Sequence, residues 1–487
     1  MHKILFIALA TMVFASCADF LNIRPEGSTP AAGTDYSKAE NIYKPVSAAY
    51  ATLRSGNVHG FGYICAFEIT SDNADKGSTP EDNPEAKAMD EFTYTPTNTL
   101  INNLWVGYFN VVSAANNALD QLPRFEEAIQ DAANREYIRQ CAGEAKALRA
   151  YAYFNLARMF GRVPVIRTVM TSEELADAKQ ASKEELYDFI EQDLLEAIEV
   201  LPESYMRSEA GKISKYTAMA IKAKAHMYQE EWDSVAVLTD KIIASGRYSL
   251  VSDFRSVFSI DGENCSESLF EIQASTLGKT TGEAPYMEYA FYQGPRNNSP
   301  SNMQGWGFCT PSADLIAFYE SREEVIRPAT TLLYTGTTTP EGDYISESCP
   351  NPVYNGKCYT PSAYNRWSYN GYGFDHNVRV LRYPDVLLMY AEALLNGAPA
   401  GTCGYSAADA VNEVRARAGL AGISPDIQAV WDERRAELAM EEDRFFDLVR
   451  TGQAASKLKG YVEGKHNVLP IPAQQIQLNP NLSQNNY

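Results

Sequence analysis

Apolar residues recur at three- and four-residue steps through most of this chain, the spacing of one helix face. Residues 39–54 carry that period, and so do Leu100 to Leu122, where Leu104, Tyr108, Val111 or Val112, Ala115 and Leu119 form a stripe. Asn98 or Thr99 is placed to cap the second of these helices. In 141–165 the stripe is Ala142, Ala145, Arg149, Ala152, Leu156 and Met159, and Gly161 and Pro164 supply a stop. Ser182 and Glu185 have capping-box spacing for a helix running to Val200. Residues 214–250 read as two antiparallel helices turning near Glu230. From 251 to 378 Gly, Pro, Asn, Ser and Thr break every long period, leaving one short helix at Ala313–Tyr319. Helical patterns return at Tyr383–Leu395, Ser406–Ala418 and Asp426–Arg450, and 466–487 reads as loop.

The expected fold class is therefore mainly α, with helical halves flanking a loop-rich insert. In 214–250, Ala225 and Tyr228 with small residues facing them resemble a tetratricopeptide unit, although the spacing departs from the usual 34-residue pattern. A tetratricopeptide-like helical-repeat scaffold carrying a loop-rich ligand-binding insert follows, since rigid scaffolds usually place binding on loops. The expected boundaries are 1–16, 17–38, 39–250, 251–378 and 379–487.

The first of these segments is a leader. Lys3 precedes an apolar run, Ile4 to Ala15, too short to span a bilayer, and small residues lead directly to Cys17. A cysteine at that point is the lipidation residue of a bacterial lipoprotein, and Phe14 is its one departure from the usual lipobox. Residues 17–38 then form a lipidated tether, and membrane attachment rests on the lipid.

Hydrophobic residues make up 45% of the 487 residues and charged residues 21%, which places the chain among globular proteins. The formal charge of −20 repels nucleic acid, so no nucleic-acid partner is expected. Eight cysteines leave seven once Cys17 is lipidated, so disulfides do not form a complete framework. Cys349 and Cys358, in a Pro/Asn/Gly-rich segment, are spaced for one small loop disulfide. Cys141 reads as a core residue. No metal or cofactor motif is present, nor any phosphate loop, Gly-x-Ser-x-Gly or His-Glu-x-x-His.

Several stretches together are specific. "RYPDVLLMYAEALLNG" (382–397), "VNEVRARAGL" (411–420) and "ERRAELAMEEDRFFDLVRTG" (433–452) resemble the C-terminal motifs of the SusD/RagB family of outer-membrane nutrient-binding lipoproteins. "EAKALRAYAYFNLARMFGRVPV" (144–165) looks like that family's central helix, "CADFLNIRP" (17–25) like its mature N-terminus, and "GWGFCTPSADLIAFYE" (305–320) like a further segment. Pro384 stands where the family often has Ala. The resemblance implies tetratricopeptide-like helix pairs and a loop-rich binding part. It implies a place on the outer face of the outer membrane, a SusC-like TonB-dependent transporter as partner, a glycan or other nutrient as ligand, and no enzymatic activity.

Read physically, the 433–452 motif is structural. Trp431, Leu438 and Phe445 repeat at seven, with Arg434 or Arg435 and Glu441 or Glu442 near the stripe, so an internal Arg–Glu network is expected, with Arg149 and Arg382 in similar roles. Five acidic residues between 433 and 443 also allow paired catalytic carboxylates, as in glycosidases.

Sugar binding needs exposed aromatic platforms beside Asn, Asp, Gln or Arg. Helix-borne Trp105, Trp232 and Trp431 are set aside as core. Residues 286–308 hold six aromatics in 23 positions and 354–374 hold seven in 21, against 11% for the chain. The candidate ligand-binding residues are Trp306, Trp367, Tyr286, Tyr289, Tyr292, Arg296, Asn298, Tyr364, Tyr369 and Tyr372, with about half of the loop aromatics expected to be buried. "TSDNAD" (70–75) adds Asp72 and Asn73, which could bind hydroxyls or serve a turn. A secreted protein-interaction scaffold and a surface glycosidase stand as the alternatives to glycan capture.

Overall fold

The computed structural model describes residues 33–274, 287–298, 305–364 and 376–487. Its principal helices are α1 (Lys44–Leu53), α2 (Thr99–Ala128), α3 (Ala132–Phe160), α4 (Lys183–Val200), α5 (Lys215–Met227) and α6 (Trp232–Ala244). After the insert, which contains α7 (Ala313–Ser321), come α8 (Tyr383–Leu395), α9 (Ala407–Arg417), α10 (Ile427–Leu438) and α11 (Arg444–Arg450). Each of α1 to α5 packs on the next, and α8 packs on α6, so the C-terminal helices extend the same stack.

Local chemistry accounts for most helix ends. Asn98 accepts from the backbone N–H groups of Leu100 and Ile101, at 3.0 and 3.4 Å. Ser182 with Glu185, and Ser406 with Asp409, form complete capping boxes. Gly161, at φ +72°, ends α3 in a conformation that a side chain would disfavour. Glu230, at φ +60°, makes the turn between α5 and α6. Helix α2 continues past Leu122 and through Pro123 to Ala128.

Three expectations require correction. The insert carries short helices at Phe254–Val257, Tyr289–Gln293 and Ile326–Thr331 besides α7. The tail is not all loop, since Ala473–Leu478 is helical. The helix expected over Asp426–Arg450 is broken at 439–443, so Leu438 and Phe445 lie on different helices. Met440 and Glu442 have φ of +65° and +62°, and their N–H groups donate to the carboxylate of Glu68, at 3.2 and 2.7 Å. A buried acceptor from a distant part of the chain takes donors that a continuous helix would have used.

The described residues form three two-stranded antiparallel ladders, two of which tie the insert to segments outside it. β1 (Ala74–Gly77) pairs with β3 (Phe308–Pro311), in register Ala74↔Pro311 and Gly77↔Phe308. β2 (Ser268–Ile272) pairs with β6 (Val378–Arg382), with irregular register at Phe270, and β4 (Leu332–Tyr334) pairs with β5 (Val353–Asn355).

The Arg–Glu network is present and larger than its motif. Arg382 donates to Glu441 from Nε (2.6 Å) and Nη2 (2.7 Å) and to Glu267 from Nη1 (2.8 Å), and it also reaches Glu437 (3.1 Å). Glu437 is shared with Arg417 and Arg327. Arg434 pairs with Asp385 and Asp447, and Arg149 grips Asp193 with Nε and Nη2 at 2.7 and 2.8 Å. All of these groups but half-buried Glu441 and Arg417 are buried, where charges persist only when paired.

Candidate functional site

Among the described candidate residues, Trp306 is the one exposed to solvent. It lies where the chain enters β3, and it is 37% exposed. Its backbone is fixed on both sides. Trp306 N donates to the Phe291 carbonyl (3.0 Å), Gly307 N to the Gly294 carbonyl (2.9 Å), and Ser78 N to the Gly307 carbonyl (2.6 Å). Gly77 and Gly307, at φ +68° and +71°, allow that close approach; a Cβ on Gly77 would lie 2.5 Å from the Gly307 oxygen. The indole ring meets Phe291 edge-on at 6.1 Å, and the Arg296 guanidinium lies over it at 5.5 Å.

Arg296 is held in turn. Its Nη1 forms an ion pair with Asp82 and donates to Ser78 Oγ at 2.8 Å. The Ser78 hydroxyl lies 2.7 Å from both the Trp306 carbonyl and an Asp82 carboxylate oxygen. The hydrogen bond from Ser78, the largest cause, and the neighbouring guanidinium hold Asp82 below the ordinary carboxylate range. The surface thus combines an indole face, a guanidinium and a carboxylate that stays ionised. Nearby, Tyr292 is half-buried, stacks on Phe61 at 4.8 Å and donates to Glu288 at 3.0 Å.

Other candidates lie elsewhere. Tyr289 is a core residue, with its hydroxyl 2.5 and 2.6 Å from the Glu442 carboxylate oxygens. Asn298 is buried, donates to the Tyr344 carbonyl (3.2 Å) and accepts from Ser346 N (2.8 Å), so it ties two insert segments together. Asp72 is buried and accepts from Arg444 through both oxygens, at 2.7 and 2.8 Å. Burial raises its pKa, but Arg444 and Arg435 outweigh that and hold it below the usual value. Asn73 is buried and accepts from Arg435 Nε at 3.0 Å. The expectation that Asp72 and Asn73 bind hydroxyls is corrected: they clamp their loop to α10 and α11. Tyr364 is half-buried and donates to Asp261 at 2.7 Å. Tyr286, Trp367, Tyr369, Tyr372 and Cys17 lie outside the described residues.

The loop disulfide is also corrected. Cys349 and Cys358 are both unpaired. Cys349 Sγ lies 3.6 Å from Asn298 Oδ1, whereas Cys358 lies 3.3 Å from Asn355 Nδ2. Glu191, His226 and Glu231 are close enough together to hold a cation, but the Lys222 ammonium, 3.8 Å from Glu191, already supplies positive charge there.

Sequence reasoning missed Ser78 and Asp82. They lie 228 and 214 positions from their partners Trp306 and Arg296. Their one local signal is the turn-rich "STPEDNPE" at 78–85.

Three clefts lie away from Trp306. One, about 530 Å³, is apolar and is lined by Trp105, Phe109, Val112, Ile166, Leu175 and Leu478. A second, about 450 Å³, is walled by Tyr43, Tyr50, Tyr137 and Lys212. The third, about 440 Å³, lies beside α7 and β4. No helix among the described residues is long and apolar enough to cross a membrane.

Comparisons with known proteins fit this architecture. A model of the SusD family matches residues 330–487, and one described as starch-binding associating with outer membrane matches 21–227. The chain is similar to SusD-like protein P38 of Formosa agariphila, at 26% identity, covering 99% of this chain and 98% of that protein. It is 25% identical to a SusD-like protein of Bacteroides ovatus, over 92% of this chain and 82% of that one. Among solved structures, a laminarin-binding SusD-like protein matches with TM-score 0.80 at 26% identity, covering 92% of this chain and 99% of that one. Surface glycan-binding protein A from Bacteroides thetaiotaomicron, in complex with laminarihexaose, shares the fold with TM-score 0.78 at 24% identity, over 92% of this chain and 99% of that one.

Proposed function

The chain belongs to the SusD/RagB family, and from that premise we propose that it is a cell-surface lipoprotein that binds a glycan and delivers it to a SusC-like TonB-dependent outer-membrane transporter. The observation that carries the binding part is the Trp306 surface. An exposed indole takes the C–H face of a sugar, and Arg296 and Asp82 beside it donate to and accept from hydroxyls. The held backbone around Trp306 keeps the platform in place before ligand arrives, which lowers the ordering cost of binding. The relatives named for laminarin and laminarihexaose binding support the same ligand class.

Cys17 carries the lipid in this reading and provides the membrane attachment. The role is capture and transfer without chemistry. Glu433 and Glu437, which could have formed a glycosidase pair with Glu441, are buried, and all three are held by Arg or Lys. Glu442 is buried against Tyr289. The apolar 530 Å³ cleft, with Val169, Leu175 and Leu478 exposed around it, favours a protein-binding surface alongside the glycan site.

The test is binding of the purified protein to a panel of polysaccharides and oligosaccharides, with Trp306→Ala in parallel. Trp306→Ala is expected to weaken binding at least about 10-fold, or about 1.4 kcal/mol, with the melting temperature unchanged and no product released. Glycan binding that survives this substitution intact would move the site elsewhere. Release of shortened product would restore the glycosidase reading.

A further inference from the structure

We propose that the Trp306 surface selects uncharged glycans and rejects sulfated or uronate-bearing ones; this rests on the glycan-capture reading above. Capture of an anionic sugar calls for a cation with donors free for a carboxylate or sulfate, usually an arginine fork. Among the described residues of this surface, the positive charge of Arg296 is already paired and that of Lys76 is turned inward. Arg296 closes on Asp82 and Ser78. Lys76 is buried, and its ammonium donates to the carbonyls of Thr79 and Asp82, at 2.7 and 2.9 Å.

Carboxylates outnumber them. Glu81 is exposed beside Asp82, Glu288 accepts from Tyr292, and Asp90 accepts from Lys76 N at 3.1 Å. Among the described residues, Arg296 and Lys76 stand beside the carboxylates of Glu81, Asp82 and Asp90, and Lys87, a further cation there, pairs with Glu91 at 3.7 Å. Each unit of like charge brought within about 4 Å costs on the order of 1 kcal/mol even in high dielectric. The field of a chain carrying −20 adds repulsion beyond that. An uncharged sugar meets none of this, and the Arg296–Asp82 pair still offers it donors and acceptors.

The experiment compares two neutral polymers, laminarin and amylopectin, with two anionic ones, polygalacturonate and chondroitin sulfate, at about 50 and about 500 mM salt. The expected result is binding of a neutral polymer, with affinity changing less than about twofold between the two salts, and no binding of either anionic one. The double variant Glu81→Gln/Asp82→Asn, which frees Arg296, is expected to gain salt-sensitive binding of an anionic polymer. Wild-type binding of an anionic polymer at least as tight as that of any neutral one, lost at high salt, would overturn the charge selection while leaving glycan capture standing. Failure of all four polymers to bind would remove glycan capture and this inference with it.

Discussion

Glu144 is a buried carboxylate whose proton the fold retains, and Glu144→Gln should show it. The side chain is 1% exposed on α3 and accepts from the hydroxyls of Tyr43 (3.1 Å) and Tyr50 (2.8 Å), both through Oε2. Tyr50 in turn accepts from Ile213 N at 2.8 Å, so the carboxyl anchors α1 and the 205–213 loop to α3. Burial raises its pKa from 4.5 to about 7, against the lowering pull of the Lys212 ammonium and the two tyrosines. A carboxyl whose pKa is raised on folding favours the folded state most when protonated. Stability is therefore full below about pH 4.5 and declines as pH rises through 7. At 1.36 kcal/mol per unit, the decline from this group is about 3 kcal/mol. Glutamine keeps an oxygen for both tyrosines and cannot ionise. The variant should match wild type near pH 4 and exceed it by about 3 kcal/mol near pH 8, a shift of roughly 1 M or less in the urea midpoint. Urea unfolding of both proteins at pH 4, 6 and 8 measures this, and titrations common to both cancel in the difference. A variant offset from wild type by the same amount at every pH would refute the reasoning.

Other outcomes follow from the same structure. Arg382→Met leaves buried Glu267 and half-buried Glu441 without their main partner and should cost about 3–5 kcal/mol, read as a lower melting temperature; a loss below about 1 kcal/mol would show that the network contributes little. Glu437 is buried, but Arg417, Arg382 and Arg327 overcome that and bring its pKa from 4.5 to about 2, so its stabilisation holds above pH 4.5 and is lost as pH falls toward 2. Glu437→Gln should therefore flatten the acid limb of the melting curve, and an unchanged limb would contradict that assignment. Gly77→Ala places a methyl 2.5 Å from the Gly307 oxygen and 2.7 Å from Thr310 Cγ2, at positive φ. It should cost more than about 1 kcal/mol and weaken glycan binding together, since it displaces the strand that holds Trp306; full stability with full binding would argue against that coupling.

What this chain reveals by sequence is what short-range physics controls. The capped helices, the turn at Glu230, the stop at Gly161 and the return of helix at Tyr383 each depend on residues within a few positions, and each is present as read. The family motifs are likewise local strings. Tertiary structure alone decided the rest. Nothing between 439 and 443 announces a break, because neither Gly nor Pro is there; the cause is Glu68, more than 370 positions away. Tyr289 and Trp306 belong to one aromatic-rich stretch, yet one packs against Glu442 and the other reaches solvent. Composition measures how much aromatic surface a segment carries, whereas burial depends on what packs against it. The polar half of the Trp306 surface comes from Ser78 and Asp82, brought there by the pairing of β1 with β3. Strand pairing joins segments over distances along the chain that no local period can encode.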